Sequence, residues 1–201
     1  MSASAIRGID IMPPKVLFSR GQIVDAAFHL LRTEGLDSIT ARRLADQLKC
    51  TVRPIYTHFS SMGSLRDETV LLAGQYTIDF LLKDHHEKPR LSLGIGYLRL
   101  AREEPEIFRA VYLTQNTGLD YESGRITPLL EKLRNDKDLH DLSEEALHRL
   151  NDRLWIYTHG LSTLLATGAL QLPLTEAAAQ LDEVGRELIR FELEQDKDQS
   201  R

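Results

Sequence analysis

The twenty-residue window Thr40–Phe59, TARRLADQLKCTVRPIYTHF, constrains the fold of this chain more than any other part of it. Apolar residues recur there at helical spacing twice in succession: Ala41, Leu44, Ala45 and Leu48, then Val52, Ile55, Tyr56 and Phe59. The pattern predicts two short amphipathic helices joined by a tight turn, the second capped by Thr51. That second helix leaves Thr51, Arg53, Pro54, Thr57 and His58 facing outward. A short helix propped on its neighbour with a polar outer face is how a helix-turn-helix offers a recognition helix to the major groove of DNA.

Upstream, the chain supplies a third helix. Ser19 is its N-cap, Ile23, Ala26, Ala27, Leu30 and Leu31 form its stripe, and Gly35 stops it. Leu36 and Ile39 fill the corner. Three such helices bury little alone, so Leu65–Leu82, apolar on much of its circumference, is expected to pack against them. Residues 1–11 show no period, and Lys15 and Arg20 are candidates for an arm touching the DNA backbone, with solvated tail charge as the plainer reading of Lys15.

The stretches IVDAAFHLLRTEG (23–35), ITARRLADQL (39–48) and IYTHF (55–59), followed by Leu65, resemble the DNA-binding domain of the tetracycline-repressor (TetR) family of bacterial transcription regulators. Met12-Pro13-Pro14-Lys15 resembles the start of many members. YLRLAREEPEIFRAVYL (97–113) looks like that family's mid-domain helix pair, and WIYTHGLSTLLATG (155–168) looks like a C-terminal signature of the W-x3-HG type. Two positions depart from the pattern. Lys49 stands where a glycine usually makes the turn, so it must adopt a left-handed conformation or alter the turn. Met62 stands where a lysine often begins the next helix and binds phosphate.

Chemistry gives each exposed residue of the window a candidate role. Arg53 is built for bidentate contact with guanine O6 and N7, and the Pro54 ring for a thymine methyl. Pro54 in the first turn loses little, although it restricts Arg53. Thr57 suits a base or a phosphate, and His58 a phosphate. Thr40, Arg42 and Arg43 open the preceding helix, where a hydroxyl cap and the positive dipole end suit a phosphate. The resemblance adds Tyr56, whose family counterpart offers its hydroxyl to the DNA backbone, although the same side chain reads as a core aromatic. Cys50, between the helices, reads as a buried, inert thiol.

The remainder reads as all-helical. Leu91–Glu104 stops before Pro105, and a further helix starts near Glu106. Ser143 opens a run through Trp155 toward Gly168, and Thr175 caps a last helix with the stripe Ala178, Leu181, Val184, Leu188, Phe191. Ala166, Gly168, Ala169, Ala177 and Gly185 are small residues suited to close helix approach. In the family the final two helices form a four-helix bundle across a two-fold axis, so the resemblance implies a homodimer and, with it, paired half-sites. It also implies an effector pocket among the middle helices, with Tyr97, Arg102, Phe108, Tyr112, Trp155 and His159 as candidate lining residues. Aromatics at helical spacing equally read as core packing.

Charge divides along the same line. Residues 1–65 carry eight Lys/Arg against five Asp/Glu, net +3, whereas residues 66–201 carry seventeen against twenty-five, net −8. That split fits a basic part meeting phosphate and an acidic part held away from the duplex. The lone cysteine forbids an intrachain disulfide, no stretch reaches the ~18 apolar residues of a membrane span, and no signal-peptide core opens the chain. The expectation is a cytoplasmic protein.

No serine elbow, phosphate loop or H-E-x-x-H motif is present, and Gly94-Ile95-Gly96 lacks the strand-turn-helix setting of a nucleotide site. His85-His86 reads as a loop. His148 and His159 lack a third ligand, so no metal, cofactor or catalytic residue is expected. The reading is an all-α chain: an N-terminal arm and three-helix helix-turn-helix domain (1–65), then a C-terminal helical bundle for ligand binding and dimerisation (66–201). It predicts a homodimeric repressor released from operator DNA by a small-molecule effector. The alternative is a helical DNA-organising or protein-interaction factor without small-molecule control.

Overall fold

A computed structural model describes residues 18–114 and 127–199, excepting the side chains of 197–199. The readings of residues 1–11, Met12–Lys15 and Lys15 as an arm lie outside the described residues. Among those described there are nine α-helices and no strand: α1 (Arg20–Glu34), α2 (Ala41–Gln47), α3 (Arg53–His58), α4 (Met62–Leu82), α5 (Pro89–Glu103), α6 (Pro105–Tyr112), α7 (Thr127–Arg134), α8 (Glu144–Ala166) and α9 (Leu174–Gln199).

Local chemistry fixes most of these boundaries. Ser19 caps α1 in a capping box, its hydroxyl accepting from the Gln22 N–H while the Gln22 side chain accepts from the Ser19 N–H. Gly35 ends the helix at φ 86°, a conformation that side-chain-bearing residues rarely adopt. Proline at the first position opens both α5 and α6, where its missing N–H is no loss. That is why they begin at Pro89 and Pro105 rather than at Leu91 and Glu106. The last helix starts two residues before the position a Thr175 cap implies, at Leu174, with the Pro173 carbonyl accepting from the Glu176 and Ala177 N–H groups. Thr175 therefore lies inside the first turn instead of capping it.

The turn between α2 and α3 answers the question posed by Lys49. Its φ is +52°, and it occupies the position after the cap in a Schellman closure. The Cys50 N–H donates to the Ala45 carbonyl at 2.9 Å and the Lys49 N–H to that of Asp46 at 3.2 Å. The turn keeps the geometry that glycine would give and carries the strain of a side chain there. Cys50 is half-buried, and desolvation pushes its thiol pKa up, away from the reactive thiolate.

One cluster of buried side chains runs from Ile23 and Leu31 of α1 through Leu44, Ile55, Phe59 and Leu65 to Leu100, Phe108 and Val111. Because α4 continues unbroken past position 65 and α1 packs on both α4 and α6, the helix-turn-helix shares its core with the middle helices. A second cluster joins α5, α8 and α9 through Leu98, Leu161 and Leu181, and a third lies around Leu133, Leu150 and Ile189. Among the small residues, Ala177 is buried and Gly185 receives a neighbouring side chain, whereas Gly168 sits exposed in a turn at φ 73°.

Relieving the strain at Lys49 is a direct test of this turn. Lys49→Gly is expected to stabilise the fold by about 0.5–1 kcal/mol, the left-handed penalty less the extra entropy of glycine. The thermal midpoint should then rise by about 2 °C. A fall in the midpoint on differential scanning calorimetry contradicts the closure described.

Candidate nucleic-acid interface and the cavity behind it

The six residues of α3 begin without a side-chain cap: Val52, not Thr51, occupies the N-cap position, and Pro54 lies in the first turn. Only Ile55 and Phe59 point inward, at 0% and 2% exposure. Val52 and Tyr56, expected to share that face, are 42% and 52% exposed. The reason is geometric. Val52 precedes the helix and leaves its register, and Tyr56 is rotated about 100° from Ile55 around so short a helix.

The C-terminal end of α3 is held by Arg20. Its NH1 donates to the His58 carbonyl at 2.7 Å, its Nε to Glu68 Oε1 at 3.1 Å, and its guanidinium carbon lies 4.2 Å from the Phe59 ring centroid. A carbonyl that a helix terminus leaves unpaired is thereby satisfied, and a cation–π contact is added. Arg20 is thus a clasp for α3 rather than the backbone-touching arm the sequence suggested. His58 is likewise engaged: its Nε2 lies 2.8 Å from the Phe18 carbonyl, and the ring is half-buried instead of outward. Arg66 of α4 fixes the other flank by donating through Nε and NH2 to the Ile39 carbonyl, at 3.2 and 2.9 Å. Met62 opens α4 and packs on the core in the place where the family resemblance led one to look for a phosphate-binding lysine.

What remains outward is a polar, cationic surface. Thr51, Arg53, Tyr56 and Thr57 are exposed and Pro54 is half-buried; Arg53, Tyr56 and Thr57 follow the i, i+3, i+4 spacing of one helix face. The Thr57 hydroxyl donates to the Arg53 carbonyl at 3.0 Å and keeps acceptor capacity. At the start of α2 the Thr40 hydroxyl accepts from the Arg43 N–H at 3.3 Å. Arg43 pairs with Glu34 at 2.5 Å, whereas Arg42, Lys49 and Arg53 have no carboxylate partner among the described residues. Those three are the cations available to an incoming anion. Lys49 was not singled out for that role in the sequence, where it registered only as a misfit in the turn.

Behind this surface, α5, α7 and α8 enclose a cavity of about 110 Å³. Tyr97, Tyr112 and Trp155 line it. Phe108 and His159 stand behind them. Phe108 is fully buried, its centroid 5.6 Å from Tyr97 and 5.2 Å from Tyr112. His159 Nδ1 lies 3.0 Å from the Tyr97 hydroxyl and its ring stacks on Trp155 at 5.3 Å. Burial holds the His159 pKa below its ordinary value, which favours the neutral ring. Arg102 is the correction: it is exposed on α5 and does not line the cavity. Arg90, Asn151 and Thr158, which the sequence reading passed over, do line it. Arg90 is legible afterwards as an arginine in step with Tyr97 and Ala101 on the inward face of α5.

The cavity wall and the helix-turn-helix unit with its supporting helices meet at the α5–α6 corner. Arg32 of α1 donates through Nε to Glu104 Oε2 at 2.7 Å, and the Tyr76 hydroxyl of α4 donates to Glu104 Oε1 at 2.9 Å. Burial and this carboxylate together push the Tyr76 hydroxyl pKa up. Among the described residues no group of three His, Cys, Asp or Glu is placed to hold a metal, and no helix is long and apolar enough to cross a membrane.

Residues 23–69 match the family model described as bacterial regulatory proteins, tetR family. The tetracycline repressor protein class D of Escherichia coli is 23% identical over 154 residues, covering 77% of this chain and 63% of its own length. The HTH-type transcriptional regulator YobS of Bacillus subtilis (strain 168) is 23% identical over 165 residues, with 80% and 85% covered. Among solved structures, a tetR-family transcriptional regulator from Streptomyces coelicolor superposes with a TM-score of 0.66 at 16% identity, covering 89% of this chain and 83% of that one. A TetR variant from Acinetobacter baumannii AYE, solved in complex with minocycline, superposes with a TM-score of 0.56 at 18% identity, covering 86% and 95%. At these identities the solved structures establish the fold.

The clasp predicts a separable effect. Arg20→Met should weaken binding to a specific duplex by roughly ten-fold, about 1.4 kcal/mol. The salt dependence of that binding should stay unchanged, because no phosphate contact is lost. A salt slope lower by about one unit, measured by fluorescence anisotropy, would return Arg20 to the phosphate-contacting role.

Proposed function

We propose that this chain, a TetR-family regulator by its N-terminal domain and fold, is a homodimeric transcriptional repressor that reads a two-fold operator with α3 and is released by a small molecule in the cavity. The observation that carries the proposal is the unpaired Arg53 on the exposed face of a helix whose opposite face and C-terminus are both fixed. In this reading Arg53 and Pro54 read base edges, Thr57 a base or a phosphate, and Tyr56, Thr51, Thr40, Arg42 and Arg43 the backbone. Arg43 must exchange Glu34 for phosphate, a modest cost for an exposed pair. His58 is left as a link to Phe18 rather than a DNA contact.

Residues 1–65 then form the DNA-binding unit and 66–201 the effector and dimer unit, with α4 shared between them. Two features support dimerisation through α8 and α9. Ile156, Leu164 and Phe191 are large apolar side chains 63%, 47% and 45% exposed. Alongside them the fully buried Glu192 is bound by Arg149 and Arg153, so the helices that would meet a second copy are rigidly joined. Two copies also supply the second half-site that a six-residue helix needs for specificity. Relatives sharing the domain are transcription regulators by name.

Base reading and phosphate binding separate on mutation. Arg53→Ala should cost about 1–3 kcal/mol on the specific duplex and little on a random one. Arg42→Ala should weaken both and lower the salt slope by about one unit. Equal loss on specific and random DNA for Arg53→Ala removes it from the base-reading role.

A further inference from the structure

The cavity between α5, α7 and α8 holds one group that packing does not account for. Its walls are mostly leucines, with the aromatic rings of Tyr97, Tyr112 and Trp155 on one side. Into this apolar lining comes Arg90, 4% exposed, in the first turn of α5. Its NH2 donates to Asp182 Oδ1 of α9 at 2.8 Å and its backbone N–H to Asp136 Oδ2 at 2.9 Å. The guanidinium lies against Gly185, NH1 nearest, where any side chain would collide with it. The arginine is therefore seated deliberately, yet its buried Nε has no hydrogen-bond partner. A buried donor left over in a leucine-lined site costs free energy until an acceptor meets it.

The surrounding charge selects among acceptors. Asp182 faces the Arg90 guanidinium and, at 3.6 Å, the exposed Arg186; Asp136 is buried just beyond, and among the described residues no other cation lines the cavity. A carboxylate would add a further negative charge beside two existing ones, without a cation of its own, whereas a neutral oxygen takes the Nε–H at no such cost. Size and shape narrow the class again. A cavity volume of about 110 Å³ is on the scale that a single benzene ring occupies in an apolar cavity. The Tyr97 and Tyr112 rings, 4.8 Å apart, and Trp155 offer aromatic surface to such a ring.

We propose that the cavity takes a neutral monocyclic molecule bearing one acceptor oxygen, with its ring against Tyr97, Tyr112 and Trp155 and its oxygen on the Arg90 Nε–H. The proposal rests on the reading of this cavity as a ligand site and assigns the chemistry of its ligand. Asn151 and Thr158 stand on the same lining as a second, polar margin.

Three probes of nearly equal size decide it by isothermal titration calorimetry on the full chain at neutral pH: acetophenone, ethylbenzene and benzoate. Acetophenone is expected to bind at least about ten-fold more tightly than ethylbenzene and than benzoate. Arg90→Met should bring acetophenone down to the level of ethylbenzene. The comparison on the unaltered protein stands by itself should that variant fail to fold. Equal affinity for acetophenone and ethylbenzene, tightest binding of benzoate, or no binding of any probe overturns the assignment. Repeating the titration with operator DNA present separates the two readings. Selective acetophenone binding that leaves operator affinity unchanged keeps the ligand class and removes effector control. Release of the operator by some other molecule, with all three probes silent, keeps effector control and overturns the class.

Discussion

A six-residue helix cannot hold its own shape, and the proposed reading of DNA by α3 depends on how its neighbours hold it. Nucleating a helix fixes three residues for its first hydrogen bond, and so short a segment forms too few further bonds to offset that cost, so its order must come from tertiary contacts. Ile55 and Phe59 anchor it in the core, the Schellman closure at Lys49 sets its entry, and Arg20 with Glu68 secures its exit. The outward face is thereby free to carry residues chosen for an external partner. Arg53 can remain unpaired because the helix does not need it.

The same core that supports α3 carries on into the middle of the molecule. Leu65 and Phe59 lie in one buried cluster with Phe108 and Val111 of α6, whose Tyr112 lines the cavity. Glu104 is the junction, almost fully buried and bound by both Arg32 of α1 and Tyr76 of α4. Removing either partner would leave a buried carboxylate short of a donor, which makes that corner a stiff connection. A change of packing around the cavity thus has a solid route to the helices that position α3, which is the physical content of the proposed release by a small molecule.

Much of this could be read from the chain. The period-3.6 stripe of α1, the Ser19 and Ser143 caps, and the prolines that separate α5 from α6 are local signals, and local signals survive folding. What the sequence concealed was pairing at a distance. Arg20 looked like an arm because nothing in its neighbourhood points to Glu68, forty-eight positions away. His58 looked outward because Phe18 is forty positions distant. Arg90 was invisible as a cavity residue since its partners, Asp136 and Asp182, arrive from two other elements. Val52 and Tyr56 were misassigned for a different reason, in that an idealised period was extended through a helix too short to express it. Arg102 followed its helix but faces solvent rather than the cavity.

In the proposed function two copies of α3 read DNA from a common two-fold assembly. Selection of bound duplexes from a random-sequence pool tests it most directly, because symmetry in the protein must appear in the sites it retains. The account predicts an inverted repeat, its half-sites spaced by about one helical turn, 10–10.5 base pairs, or a multiple of it. Recovery of a single unrepeated half-site, or of no enriched sequence at all, would contradict it.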